Sequence, residues 1–292
     1  MRYNIKPDSF AKLKRNHLLF GAIYLLFGLF TFVGSFTIQA LKNFKPELYI
    51  DIFKRMQRTT GPSPRPYYLT GDIPAEYIKD IPFMLIIGII LLISAVIHIS
   101  IVNKRFNAAY NSNLQNGVAK PRYVDGMFSS VLLPLIALMM GVNDVVSILL
   151  IFVLAITFPL LALSMEEANS QKTKTSWTGY IGMVLIFVVS ASVLIITMLK
   201  HQEIQQVLLD NLTISAPYLK PFNYTVMFVY FGFWFIKLMH TMLTNLKVRA
   251  WKNPAFVENI HITINLLMKL AVIGMIFYGL VNKLFTIFYV NL

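Results

Sequence analysis

Seven apolar stretches, each about 20 residues long, dominate this 292-residue chain. A helix of roughly 20 residues rises about 30 Å, which is the thickness of a bilayer core. Only 13% of the residues are charged and 57% are hydrophobic, whereas a soluble domain usually carries about 25% charged residues. The pattern predicts an all-α membrane protein in which residues 1–292 form a single seven-helix domain.

The predicted helices are separated by charged or glycine- and proline-rich connections. They are helix A (His17–Ala40), helix B (Ile81–Val102), helix C (Pro121–Met140), helix D (Asp144–Ser164), helix E (Trp177–Leu199), helix F (Asn223–Leu246) and helix G (Glu258–Asn282). Helices C and D are divided by a tight turn from Gly141 to Asp144. Asp144 is suited to cap helix D, because its side chain can accept a hydrogen bond from a free backbone N–H group.

The connection between helices A and B, residues 41–80, is the longest. Leu48, Tyr49, Ile52 and their apolar neighbours recur at helical spacing, which predicts a short helix on the outer membrane surface. The segment Tyr67–Thr70 follows a proline-rich turn and favours a short strand.

Lysine and arginine are distributed unequally between the two sides. Fourteen lie in the N-terminal tail and the B–C, D–E and F–G connections, and nine lie in the A–B and E–F connections. Because cytoplasmic loops carry the excess, we expect a cytoplasmic N-terminus and an extracellular C-terminus. The net charge of +13 has the same origin and does not indicate nucleic-acid binding, and the absence of cysteine excludes disulfides and thiolate metal sites.

Lys269 is the clearest functional candidate, because an ionisable side chain inside a bilayer is costly. It follows Glu258 by 11 residues, which places it about 16 Å along helix G and near mid-membrane. Glu258, His261 and Asn265 share its face of the helix, which makes that face polar. Burial favours a neutral amine, which is nucleophilic toward a carbonyl group. A structural lysine paired with a carboxylate is the alternative.

Asp125 is the acidic residue that lies well inside an apolar segment, one turn after Pro121. Lys269 is expected to lean toward its level, since side chains tilt toward the N-terminus of their helix. A positive nitrogen in a low dielectric needs a negative partner. The spacing leaves two interpretations of Asp125: a counterion, or a favourable charge near a helix N-terminus.

Other polar and aromatic side chains are candidates for the surroundings of Lys269. They are Tyr24 in helix A, Ser94 and His98 in helix B, Ser129 in helix C, and Trp234 in helix F. Intramembrane histidines and aromatic stripes are more often packing residues, so spacing alone leaves these roles open. Lys237 is a second intramembrane lysine and a rival for any covalent role, and the pattern explains neither Lys237 nor His240.

Several motifs resemble those of the heliorhodopsins, the inverted-topology branch of the microbial rhodopsins. The motifs are Ser94-Ala95-Val96-Ile97-His98, Arg122-Tyr123-Val124-Asp125 followed by Ser129-Ser130, Gly141-Val142-Asn143-Asp144-Val145-Val146, and the mutual spacing of Trp251, Glu258 and Lys269. In this resemblance Lys269 falls on the retinal lysine, and Asp125 falls on a glutamate that serves as the Schiff-base counterion. The match is closest in helices B to D and weak in helices E and F.

The resemblance implies all-trans retinal on Lys269 as a protonated Schiff base, with no metal and no enzymatic activity. It also implies a homodimer in the cell membrane, with sensory output to an unknown signalling partner. Some viral members conduct protons, so light-dependent ion transport is the alternative function.

Three departures from the family pattern matter for the site. Tyr24 stands where the family has a helix A histidine, and Asn265 stands where the family has a serine. Because Asp125 is shorter than glutamate, its carboxylate is expected to lie farther from the Schiff base or to need a bridging water. Phe187 and Trp234 are the pocket residues carried over in helices E and F.

Overall fold

The computed structural model describes residues 3, 5–50, 76–140, 142, 144–170, 176–211 and 221–282. Its helices are α1 (Pro7–Thr37), α2 (Gln39–Lys42), α3 (Phe83–Val102), α4 (Lys104–Gln115), α5 (Lys120–Ser129), α6 (Leu132–Met139), α7 (Val145–Ser170), α8 (Thr178–Asn211), α9 (Pro221–Leu246) and α10 (Pro254–Val281), with a 3-10 turn at Arg249–Lys252. In this part of the chain, seven helical spans are long and apolar enough to cross a membrane. They confirm the predicted seven-helix bundle.

Because successive spans alternate in direction, α1, α5, α8 and α10 begin at the same end of the bundle. That end also carries α4 and the 3-10 turn, and we call it the N-terminal face. Large apolar side chains point outward from the spans, with Leu26, Val96 and Val146 each about two-thirds exposed. An apolar exterior of this kind is suited to lipid contact.

Helices α1, α7 and α8 extend farthest beyond the predicted apolar runs. Helix α1 begins at Pro7 rather than His17, with proline in the first turn and Asp8 favourable to the helix dipole. Helix α7 continues past Ser164 to Ser170. An apolar run marks only the part of a helix that lies in the bilayer, and backbone hydrogen bonds continue the helix into polar sequence.

Predicted helix C is divided into α5 and α6 at Ser130 and Val131. Pro134 has no N–H group to donate to the carbonyl of Ser130. The hydroxyl of Ser129 donates to the backbone carbonyl of Asp125 at 2.5 Å, a contact that bends helices. The break therefore lies one turn beyond Asp125, while the two pieces together still form one span.

The prediction of a helix in the A–B connection is wrong for the first residues of that segment. Leu48 and Tyr49 lie in strand β1 (Glu47–Ile50), which pairs antiparallel with strand β2 (Glu76–Asp80). The pairing joins the two ends of the connection, which helical periodicity within one segment cannot reveal. The remainder of that helix and the predicted strand Tyr67–Thr70 lie outside the described residues.

Two caps position the connections at the ends of the spans. The N–H of Ser147 donates to Oδ2 of Asp144 at 2.7 Å, which confirms the predicted cap. Helix α4 was not predicted, because it is too polar to form a span. Its cap is Asn103, whose side chain accepts from the N–H of Arg105 at 3.1 Å, and its inner side buries Tyr110 against the bundle.

Glycine allows α1 and α3 to approach each other closely. A Cβ atom on Gly88 would lie 2.9 Å from the backbone of Phe32, and one on Gly21 would lie 2.8 Å from a side-chain carbon of Ile99. Small residues at such crossings bring helix backbones together in membranes. The crossing brings the polar faces of α1 and α3 into contact.

Candidate functional site

Lys269 lies in the middle of α10 with 0% of its surface exposed. Its Nζ donates to Oδ1 of Asp125 and to Oγ of Ser94, both at 2.6 Å. The same nitrogen lies 4.7 Å from the ring centre of Tyr24, a favourable distance for a cation over an aromatic face. Side chains from α1, α3 and α5 thus converge on one buried amine.

Asp125 is buried on the inner face of α5 and forms a direct ion pair with Lys269 at 2.6 Å. The carboxylate reaches the free amine directly, because α5 and α10 are close enough for the shorter side chain. The longer distance to a Schiff base stays a prediction. Its Oδ1 faces Lys269, and Oδ2 has no hydrogen-bond partner among the described residues. This geometry favours the counterion interpretation over that of a charge at the helix end.

The two predicted serines contact different parts of this pair. Ser94 accepts from Lys269 and donates to the carbonyl of Ile90 at 3.0 Å. Ser129 instead bonds the backbone carbonyl of Asp125 rather than its carboxylate. Ser94 is therefore in direct contact with the amine, while Ser129 shapes the backbone of α5.

His98 lies beside this group, with its ring 5.3 Å from the ring of Tyr24. The structure adds a partner that the sequence did not reveal: Nδ1 of His98 lies 2.9 Å from Nδ1 of His17. His17 is 1% exposed, and its Nε2 lies 3.1 Å from the hydroxyl of Tyr110. The available signal was spacing, since His17 and Tyr24 are two turns apart on one face.

A cavity lies between α5, α7, α9 and α10, and its lining includes Met268, the residue before Lys269. Its walls include Ser129, Phe158, Tyr230 and Trp234. Pockets for small organic ligands are mostly apolar with few polar groups, and several aromatic side chains form this wall. The predicted pocket residue Trp234 therefore lies in the wall.

Two other predicted residues differ in their relation to this cavity. Asn265 lines it one turn before Lys269, and Oδ1 of Asn265 has no hydrogen-bond partner among the described residues. Phe187 packs against Trp234, with ring centres 5.8 Å apart, and is not among the cavity-lining residues. Phe187 supports the wall rather than forming it.

Lys237 lines the same cavity but differs from Lys269 in its partners. Among the described residues, no carboxylate forms an ion pair with Lys237. His240, one turn away, accepts a hydrogen bond from Nε1 of Trp251 at 3.2 Å. His240 thereby links α9 to the 3-10 turn, while Lys237 has no ion-pair partner among the described residues.

A second buried ionic cluster lies between Lys269 and the N-terminal face. Nη1 of Arg122 donates to Oε2 of Glu258 at 2.9 Å, and Nη2 of Arg122 bonds both Glu166 and the hydroxyl of Tyr123, the latter at 2.8 Å. The sequence marked Glu258 on the polar face of helix G. It missed Glu166, because that residue follows the predicted end of helix D.

Tyr110 connects this cluster to the histidines. It projects from α4, outside the membrane spans, and is 3% exposed. Burial, followed by the neighbouring carboxylate of Glu258, raises the pKa of Tyr110 well above its ordinary value. The phenol therefore remains protonated at neutral pH and can donate a hydrogen bond.

The arrangement is chemically suited to holding a carbonyl compound. A buried primary amine can form an imine with an aldehyde, and its carboxylate partner can stabilise the positive nitrogen. Within the described ranges, no group of three or more histidine, cysteine, aspartate or glutamate side chains is placed to hold a metal ion.

Comparison with protein families gives a match to Heliorhodopsin over residues 22–281, which is most of the chain. A comparison with curated proteins finds no match. Heliorhodopsins are light-driven rhodopsins that are generally not classed as enzymes, and the family implies a retinal chromophore. The seven apolar spans agree with a multi-pass integral membrane protein. The chain belongs to the heliorhodopsin family.

Proposed function

We propose that this protein is a photoreceptor in which all-trans retinal is bound to Lys269 as a protonated Schiff base, with Asp125 as counterion. One observation carries the assignment: the Lys269 amine is fully buried in mid-span and lies 2.6 Å from a single carboxylate. Family membership supplies the class of chromophore. The residue assignment rests on the geometry of the amine.

When bound, retinal supplies light absorption and isomerisation. The residues of the chain supply the setting: Asp125 balances the positive charge, Ser94 orients the nitrogen, and the ring of Tyr24 lies over it. The free oxygens of Asp125 and Asn265 are acceptors that an N–H group or a bridging water can satisfy. The aromatic wall around Trp234 suits an elongated apolar chain.

Light-dependent proton transport is the second candidate function. The observation that favours it is the row of buried histidine, phenol and carboxylate groups between the Lys269 amine and the N-terminal face. Photocurrents recorded under voltage clamp separate the two functions. A sensor gives negligible steady current, whereas a transporter or channel gives a current that scales with light intensity.

We further propose that the N-terminal face is cytoplasmic, in a plasma membrane, because it carries most of the loop lysines and arginines. The chain has no cysteine, so single cysteines can report topology. Asn282→Cys should react with an impermeant maleimide on intact cells, and Arg249→Cys should react only after lysis. The reverse pattern would overturn the orientation.

Self-association and output are also proposals. The family resemblance implies a homodimer, whose presence native mass spectrometry of the detergent-solubilised protein would decide. A sensory role further requires a signalling partner.

The retinal assignment is tested by colour. Wild-type protein supplied with all-trans retinal should absorb visible light, and Lys269→Ala should abolish the visible band because the attachment point is gone. Lys237→Ala is the matched control, since it removes the other intramembrane lysine, which lines the cavity, and should retain colour. A coloured Lys269→Ala protein, or a colourless Lys237→Ala protein, would overturn the assignment.

The counterion is tested by Asp125→Asn. Removing the negative charge should shift the visible band to longer wavelength, or leave the Schiff base deprotonated at neutral pH, because the carboxylate stabilises the protonated ground state. Absorption spectra across neutral pH distinguish these results. A spectrum that matches wild type would remove Asp125 as counterion.

A further inference from the structure

A cavity lies at the N-terminal face, where the ends of α7 and α9 meet the 3-10 turn and the start of α10. We call this cavity the vestibule, and the residues that set its chemistry are Arg122, Glu166, Lys247, Trp251 and Lys252. Lys247 and Lys252 are exposed, whereas Arg122 is only 5% exposed and forms the buried end. Three cationic side chains therefore line one cavity.

Glu166 is the acidic residue in the lining, and both of its oxygens are already bonded. Oε1 pairs with Arg122, and Oε2 accepts from the N–H of Ala119 at 3.1 Å. Arg122 also bonds Glu258, which lies behind the lining. The three cations therefore exceed these two carboxylates by one positive charge.

The wall also contains donors that lack partners. Nε of Arg122 is buried and has no hydrogen-bond partner among the described residues, and an unpaired buried donor is costly. In the same part of the chain, neither Lys247 nor Lys252 forms an ion pair. Helix α10 begins at Pro254 in this wall, so the positive end of its dipole adds to the field. These features suit an anion.

The segment that carries the lysines is held in a fixed and costly backbone conformation. Lys247 and Arg249 have positive φ angles of 50° and 45°, a region that residues other than glycine adopt at a cost and that recurs at ligand clamps. Nε1 of Trp251 donates to Nδ1 of His240 at 3.2 Å, which fixes the indole against α9. The wall of the vestibule is therefore formed before any ligand binds.

The depth of the vestibule indicates the source of the anion. It lies between the end of the α9 span and the start of the α10 span, and it includes Trp251, a residue type enriched at the level of lipid headgroups. Leu246 and Val248, on either side of Lys247, are 50% and 38% exposed. A soluble phosphate compound would leave these apolar side chains uncovered, whereas the acyl chains of a lipid would cover them.

We propose that the vestibule binds the phosphate group of an anionic membrane lipid. Lys247 and Lys252 contact the phosphate, the unpaired Nε–H of Arg122 is a further donor, and the acyl chains lie against Leu246 and Val248. Basic pockets between transmembrane helices bind anionic headgroups in this way. The site goes beyond the proposed photoreceptor function and does not require retinal.

Native mass spectrometry of the full-length, detergent-solubilised protein tests the site. The protein is mixed with equal amounts of phosphatidylglycerol and phosphatidylcholine that carry the same acyl chains. Wild type should retain phosphatidylglycerol in preference, because only that headgroup has a net negative charge. Lys247→Gln combined with Lys252→Gln should weaken the affinity for phosphatidylglycerol by roughly thirtyfold, which corresponds to about 1 kcal/mol for each lysine. Equal retention of the two lipids by wild type would overturn the proposal.

Lys104→Gln combined with Arg105→Gln is the matched control. It removes the same charge from exposed positions on α4, at the same face but outside the lining of the vestibule. This variant should keep the wild-type preference, and an equal loss in both double variants would show attraction to the whole face instead of a site. Lys247→Arg combined with Lys252→Arg keeps the charge and should keep the preference. Loss of the preference in the arginine variant would also contradict the proposal.

Inorganic phosphate distinguishes a soluble ligand from a lipid. Phosphorus NMR of inorganic phosphate with the lipid-free protein should show no saturable binding, because free phosphate gains no contact with Leu246 or Val248. Saturable phosphate binding that does not extend to phosphatidylglycerol would assign the vestibule to a soluble ligand and overturn the lipid proposal. A colourless wild type that still prefers phosphatidylglycerol would refute the retinal assignment and support this site.

Discussion

Among the described residues, two buried ionic clusters lie in the core of the bundle, and their cations differ in chemistry. In the first, Lys269 faces the single carboxylate of Asp125. In the second, Arg122 lies between Glu166 and Glu258. A lysine amine can lose its proton and form an imine, whereas a guanidinium group stays charged. The first cluster is suited to chemistry, and the second is suited to a permanent joint between helices.

The clusters also differ in the helices that they connect. Arg122 joins α5 to α7 and α10 near the N-terminal face, while Asp125 lies less than one turn farther along α5. Both clusters therefore depend on the position of one helix. Equal burial does not imply an equal role: the chemistry of the cation decides whether a buried pair can react or only hold the fold.

The largest expected effect is on the arginine cluster. The double substitution Glu166→Gln and Glu258→Gln leaves Arg122 buried without a negative partner, and arginine cannot lose its charge. We expect a loss of about 3–5 kcal/mol in the free energy of unfolding. Thermal unfolding of the detergent-solubilised, retinal-free protein, followed by circular dichroism, measures it. Unchanged stability would show that the cluster is not a structural joint.

A smaller loss is expected at the lysine cluster. In retinal-free protein, Asp125→Asn should cost about 1–3 kcal/mol, because Lys269 can become neutral and keep hydrogen bonds to Ser94 and the new amide. The same unfolding measurement applies. A loss as large as that of the double glutamine variant would mean that the two cations do not differ as proposed.

Tyr110→Phe should cost about 1 kcal/mol near neutral pH, the usual value of one hydrogen bond. Since the folded protein raises the pKa of Tyr110 above its ordinary 10.0, its stabilising contribution is complete below pH 10 and falls as the pH rises beyond it. The free energy of unfolding, measured from about pH 9 to 11, should therefore decline less steeply with pH in Tyr110→Phe than in wild type. Parallel curves of unfolding free energy against pH would contradict a raised pKa of Tyr110 in the folded protein.

The smallest effect is expected for Glu167, the residue that follows Glu166 of the arginine cluster. Glu167 pairs with Lys120 at 3.0 Å, and both side chains are roughly half exposed. Solvent screens such a pair, so Glu167→Gln should change stability by less than about 1 kcal/mol. This variant is also the matched control for Glu166→Gln. A large loss of stability in Glu167→Gln would indicate that burial does not explain the difference between the Arg122 cluster and this exposed pair.

The spans were predictable because membrane insertion depends on run length and apolar content. Helix F was predicted from Asn223 to Leu246, and α9 runs from Pro221 to the same residue. Lys269 and Asp125 were identifiable because a charge in an apolar run is costly wherever the helix packs. The polar extension of α7 was not predictable by this criterion, so Glu166 was missed. His17 lay at the start of predicted helix A, but its role was missed because hydropathy does not show that it meets His98.

The sequence by itself determined seven spans, the depth of Lys269 and the acidic candidate for its partner, since these follow from hydropathy and helical rise along one chain. Only the tertiary structure decided that Asp125 reaches the amine directly, that His17 meets His98, and that Arg122 joins two glutamates. Those contacts join side chains far apart in sequence. They depend on how closely the helices cross, and hydropathy carries no information about that distance.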